Sequence, residues 1–224
     1  MIRIIAMLTM ILDHMGQVFF PNIIIFPVAG RLALPLFAWG IANGYKKTSN
    51  FNAYALRILV LAIVSQYPYM LLFENEYFNV CFTLLTGLIA LKVYDLKINI
   101  FLKYLMISLL GIVAHEFDFE YGVYGIALVV VFYIVEGKYY LIFMQSVVTL
   151  FGVMLYNYYP LQLVSVLSVI IINLFIKHNF KIIRVFQYSF YPVHIVLFLL
   201  IKNFIYAQPM SNYVLRRLTY LLYH

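Results

Sequence analysis

Apolar runs long enough to cross a lipid bilayer follow one another along this chain, with only a handful of polar residues between them. That pattern leaves little choice of architecture. In hydrocarbon every backbone N–H and C=O must find its partner inside the protein, and a helix does this within one segment. Each spanning helix takes about 20 mostly apolar residues. Composition agrees: 66% of residues are hydrophobic and 10% are charged, where a soluble domain carries about 25% charged residues. Mean hydropathy is +0.97. So few charges cannot solvate a globular surface. The expected fold is an all-α, polytopic transmembrane helix bundle forming one domain over residues 1–224. The lone Cys81 has no disulfide partner and reads as a small core residue.

Helices are expected near 4–20, 27–45, 54–73, 78–94, 98–114, 121–135, 139–156, 161–176 and 186–206, about nine spans. The first segment has a lone Arg3 before it and Asp13-His14 within it, and no small-residue cleavage site follows cleanly, so it reads as a permanent span. With the N-terminus cytoplasmic, the inner loops receive Lys46, Lys47, Lys92, Lys97, Lys138, Lys177, Lys181 and Arg184. The outer loops receive Glu74, Glu76, Glu116, Asp118 and Glu120. This is a positive-inside distribution. Arg216 and Arg217 in the tail break it; Tyr213 to Tyr223 is either an interfacial amphipathic helix or the sign of a tenth span.

Ionisable residues inside spans are costly and mark function by default. Asp13 and His14 interrupt the first apolar run, and Arg31, Arg57 and His194 lie inside or at the edges of others. Ala6, Thr9, Asp13, Gly16 and Gln17 recur at helical spacing and form one stripe facing the bundle. His14 points about 100° from Asp13. Asp13 is therefore expected to neutralise an arginine, and His14 to edge a cavity beside Gln17. Gln187, Tyr191 and His194 form a second stripe, with Pro192 loosening its helix. Gly40 and Gly44 have the spacing of close helix packing. His115, Glu116, Asp118 and Glu120 are a weak metal pattern, and no metal is expected.

Six pieces of sequence, in order along the chain, resemble the TraX family of conjugation systems: LTMILDHMG (8–16), GRLALPLFAWGIANGY (30–45), YALRILVLAIVSQYPY (54–69), FNVCFTLLTGLIAL (78–91), EYGVYGIALV (120–129) and YSFYPVHIVLF (188–198). The Asp-His-x-Gly and Gly-Arg-x-x-x-Pro pieces are the specific ones. Leu34 and Asn43 depart from the family pattern, which places substrate identity in question more than the fold. The resemblance implies a multi-pass protein of the bacterial inner membrane that transfers an acetyl group from cytoplasmic acetyl-CoA to the N-terminal amine of a pilin. It is similar in turn to integral-membrane acyltransferases that acylate surface glycans.

By that resemblance His14 is the catalytic base and Arg31, Arg57 and His194 are pocket positions; Asp13 is counted with His14 as catalytic, and Tyr191 of the second stripe as a substrate or cofactor position. A neutral histidine suits proton abstraction. Arg31 either stabilises the oxyanion or balances Asp13. The donor phosphates are expected near Lys46, Lys47, Arg57 and the Lys177–Arg184 loop, and the acceptor outside or in the bilayer. The partners implied are acetyl-CoA, a membrane-associated acceptor and lipid, and no nucleic acid. Two other classes use the same residues: a proton-coupled transporter or flippase, disfavoured by the lack of internal repeats, and a glycan O-acetyltransferase. A non-catalytic assembly protein is the third.

Overall fold

The computed structural model describes residues 1–156, 159–178 and 183–207. Lys181 and the Tyr213–Tyr223 stretch with Arg216 and Arg217 lie outside them. Among the described residues ten α-helices follow in order: α1 (Ile2–Val18), α2 (Ile25–Gly30), α3 (Ala33–Lys47), α4 (Phe51–Phe73), α5 (Val80–Tyr94), α6 (Ile100–Glu116), α7 (Gly122–Ile134), α8 (Lys138–Tyr156), α9 (Ser168–Phe175) and α10 (Arg184–Ala207). A 3-10 helix, Pro160–Leu167, leads into α9.

The expected segments are all helical, and two of them are broken. The second divides into α2 and α3 because Pro35 has no N–H to give the Arg31 carbonyl and its ring crowds that group. Two turn residues, Arg31 and Leu32, result. The eighth begins as a 3-10 helix. Among the described residues, four helices are long and apolar enough to cross a membrane: Ile25–Lys47 taken through its break, Phe51–Phe73, Lys138–Tyr156 and Val185–Ile205. Val80–Tyr94, Gly122–Ile134 and Pro160–Phe175 are apolar but shorter; a 15-residue helix rises about 22 Å against a hydrocarbon core of about 30 Å.

The outside of the bundle is as apolar as the inside. Along α4, past Asn52 and Arg57 in its first turns, the exposed side chains are Leu56, Val60, Ile63, Val64, Tyr67 and Leu71. On a water-soluble monomer so large an apolar face would be a binding site or a liability; here it is the face a bilayer solvates.

Inside, α3, α5 and α7 pack on one another, α1 lies against α2 and α3, and α10 closes the bundle between α1 and α4. Small residues let the helices approach: Ala38, Ala62 and Ala90 are fully buried. Gly30 is required by its neighbour, since a Cβ there would run into the Asp13 carboxylate. Gly40 is the reverse case. A Cβ on it would meet nothing within 4 Å, whereas one on Gly44 would run into the Tyr54 side chain of α4, so of this pair only Gly44 serves helix packing and Gly40 opens a cavity.

Charge separates along the axis, apart from Asp95 at the basic end and Lys202, which pairs with Glu74 at the other. Arg3, Lys46, Lys47, Arg57, Lys92 and Lys103 gather at one end, where Lys46 stacks on Tyr133 and Lys92 on Phe51. Glu74, Asp118 and Glu120 gather at the other. There Phe78 and Phe119 bridge two loops through Phe78 N–H to Asp118 O (3.1 Å) and Glu120 N–H to Phe78 O (2.8 Å).

Candidate functional site

Two buried histidines from the first and last described helices meet in the bundle: His14 Nδ1 lies 2.8 Å from His194 Nε2. Helical rise puts both about 15–18 Å along their helices from the basic end. The protons on this pair follow from one neighbour. His194 Nδ1 is 2.9 Å from the Phe190 carbonyl, which only accepts. His194 Nδ1 therefore carries the hydrogen, and in the neutral ring Nε2 is an acceptor. His14 Nδ1 must then be the donor, which leaves His14 Nε2 unprotonated. A carbonyl orients one ring and that ring orients the next, an arrangement by which a general base is positioned. Phe73 stacks edge-on against His14 at 4.9 Å, and Tyr191 stands 6.5 Å from it, centroid to centroid.

Asp13 is not part of this pair. Its Oδ2 accepts from Gln17 Nε2 at 2.8 Å, and its Oδ1 faces Arg31 Nη2 at 3.6 Å. Gln17 thus serves Asp13, not His14. Arg31 continues the chain: Nη1 donates to Gln162 Oε1 (3.1 Å), and Gln162 Nε2 donates to the Tyr124 hydroxyl (3.2 Å). Tyr124 shares hydrogen bonds with Thr149 and Ser165, and Gln145 Nε2 donates to the Ser165 carbonyl at 2.8 Å. Gln162, Gln145 and Ser165 are fully buried. Sequence reading missed them because single polar residues in apolar runs carry no periodic signal. The available clue was that buried amides need partners.

Two cavities approach this layer. One, about 470 Å³, starts at the basic end among Arg3, Lys47 and Arg57 and runs past Gly40 to Cys81 and Tyr191. Arg57 Nε donates to the Tyr188 hydroxyl (3.3 Å), and Arg3 Nη1 donates to Gln187 Oε1 (2.7 Å). Arg3 is a rim residue that the sequence alone marked only as a flanking charge. Lys47 lines this cavity, whereas Lys46, expected beside it, turns to the Tyr133 ring at 5.1 Å. Asn43 is not among the lining residues.

The second cavity, about 410 Å³, lies at the acidic end among Gln17, Arg31, Tyr69, His115, Asp118 and Glu120. Glu120 turns inward because Tyr121 (φ 64°) and Gly122 (φ 40°) reverse the chain just after it. Its Oε2 accepts from Val80 N–H at 3.0 Å, and its carbonyl accepts from Thr83. Burial pushes the Glu120 carboxyl up to about 7, with Asp13 adding to the effect. Val80 lines the first cavity and Glu120 the second, so one hydrogen bond spans the wall between them. His115 meanwhile stacks on Tyr156. Among the described residues no group of three or more His, Cys, Asp or Glu converges as metal ligands would.

A family profile described as TraX protein matches residues 1–202. The chain is 28% identical over 155 residues to the probable fimbrial assembly protein FimC, serogroup H1, of Dichelobacter nodosus. That alignment covers 62% of this chain and 61% of the relative's length. No solved structure matches.

Proposed function

The chain belongs to the TraX family, and from that premise we propose that it is a membrane-embedded acyltransferase. It takes an acetyl group from acetyl-CoA at the basic end and passes it to an acceptor arriving from the acidic end or from the bilayer. The acceptor favoured by the family resemblance and by the fimbrial assembly relative is the N-terminal amine of a pilin. The basic end faces the cytoplasm of a bacterial inner membrane, by the positive-inside rule.

The observation that carries this reading is the Phe190 carbonyl–His194–His14 chain, which leaves a basic nitrogen in a dry site. His14 Nε2 accepts the proton that the acceptor amine or hydroxyl loses as it attacks. The hydrogen bond to His194 then strengthens, because charge-assisted hydrogen bonds are roughly twice as strong as neutral ones. A positioned base contributes about 10²–10⁴-fold.

The basic-end cavity suits the donor. Arg3, Lys47 and Arg57 at the rim match phosphates, and Ala6, Met10, Leu36 and Leu61 line an apolar throat for the thioester arm. Bound there, acetyl-CoA supplies an activated acyl group and a thiolate leaving group. Arg31 lines the other cavity and is engaged by Asp13 and Gln162, which favours the charge-balancing role over oxyanion stabilisation.

The test is a ligand-dependent thermal shift of the purified protein with acetyl-CoA, wild type against Arg57→Ala. At a hundredfold excess over Kd, binding stabilises by about 2.7 kcal/mol. A saturable shift that shrinks in the variant supports the reading. No shift in folded protein would transfer the histidine pair to a proton-coupled transporter or to a non-catalytic assembly role.

A further inference from the structure

Tyr191 has a hydroxyl with nothing to do in the fold. The residue is 5% exposed and lines the deep end of the basic-end cavity. Its ring packs beside the histidine pair, 6.5 Å from His14 and 5.6 Å from His194. Among the described residues its buried oxygen has no hydrogen-bond partner. Phenylalanine would fill the same volume without burying an unsatisfied polar group, an expense that folded proteins rarely carry. The partner is therefore something that enters the cavity.

That partner has a defined chemistry. A phenol O–H is a neutral donor whose direction is set by its ring, and the ring here is held by the core around Met10, Cys81 and Ile195. Set in the wall of an apolar throat, it matches a carbonyl oxygen that gains charge during reaction. The other candidate for this task, Arg31, opens on the opposite cavity.

We propose that the Tyr191 hydroxyl is the oxyanion donor of the transfer reaction, an assignment that rests on the acyltransferase reading above. The acceptor's lone pair forms the new N–C or O–C bond, and the thioester C=O electron pair moves onto oxygen, which accepts from Tyr191. The acceptor's proton goes to His14. On collapse the C–S bond breaks, the C=O re-forms, and the departing thiolate takes that proton from His14. Tyr191 keeps its own proton throughout.

The experiment uses full-length protein in nanodiscs, with acetyl-CoA carrying ¹³C at the thioester carbonyl as the probe. In wild type the isotope-edited infrared C=O stretch moves to lower frequency on binding; in Tyr191→Phe that displacement disappears. The variant loses about 10²–10³ in kcat with KM changed less than about twofold, as for removal of one oxyanion donor. Without ligand its melting temperature is unchanged or higher, where a tyrosine bonded within the fold would lower it. An unaltered stretch, an unaltered kcat, or a fall in melting temperature with a matching loss of activity overturns the assignment. If the wild type binds acetyl-CoA and turns over while Tyr191→Phe does so equally, Tyr191 alone is misassigned. If the wild type shows neither binding nor transfer, the acyltransferase reading fails and the assignment falls with it.

Discussion

His14 Nδ1 and His194 Nε2 lie 2.8 Å apart across 180 positions of sequence, and a single proton serves both nitrogens. Since Phe190 O claims the other hydrogen of His194, the pair has one neutral arrangement, with His14 as the ring free to accept. Roles that a lone histidine leaves open are thereby assigned.

His14→Ala is expected to lower transfer by about 10²–10⁴-fold while membrane insertion persists. At position 194 the two replacements should differ. Glutamine retains an acceptor for the His14 N–H and keeps more activity than alanine, which leaves His14 unoriented. Acetylation rates at matched protein levels check this; equal activity of His194→Ala and wild type would remove His194 from the site.

Asp13 sits in a different network and should report on stability. Asp13→Ala leaves Arg31 and Gln17 without their carboxylate and is expected to destabilise by about 1–3 kcal/mol, less than a fully buried pair because Arg31 is partly exposed. Asp13→Asn keeps the Gln17 contact and should fall between. Thermal unfolding in detergent measures the order. A loss of activity in Asp13→Asn without loss of stability would instead return Asp13 to the chemistry.

Two glycines ten residues apart should respond in opposite ways. Gly30→Ala drives a methyl group into the Asp13 carboxylate and is expected to impair assembly. Gly40→Ala meets only open space, and helix propensity favours alanine there. Gly40→Leu should leave the melting temperature near wild type yet abolish its shift with acetyl-CoA. Persistence of that shift would move the donor out of this cavity.

Glu120 makes stability depend on pH. Its carboxyl is held at about 7 in the fold against an ordinary 4.5, so between these values the folded chain binds more protons than the unfolded one. Stability is then fully present below about 4.5, declines as pH rises towards 7, and levels off above. Asp13 adds to the upward displacement, while Arg31 and the Tyr69 and Val80 hydrogen bonds oppose it. Glu120→Gln should remove the slope and raise the melting temperature at pH 8. A slope surviving in the variant would assign it to another group.

The separate placements of Lys46 and Lys47 show where sequence reading stops. Adjacent lysines look equivalent in a loop, but neighbours on a helix point about 100° apart. One meets the Tyr133 ring and the other the cavity. The same angle correctly separated Asp13 from His14. What it could not supply was the partner on the far helix, because pairing across the bundle depends on how helices distant in sequence pack.

Helical segments and their polar stripes were written in the chain itself, because apolar period and length answer directly to the solvent a membrane provides. An arginine partner for Asp13 was also legible, since a buried carboxylate needs one. The Gln162–Tyr124–Ser165–Gln145 network and the cavity at Gly40 were decided only in the tertiary structure. Each depends on a side chain or backbone from another helix filling, or failing to fill, a particular space, and no local period encodes that.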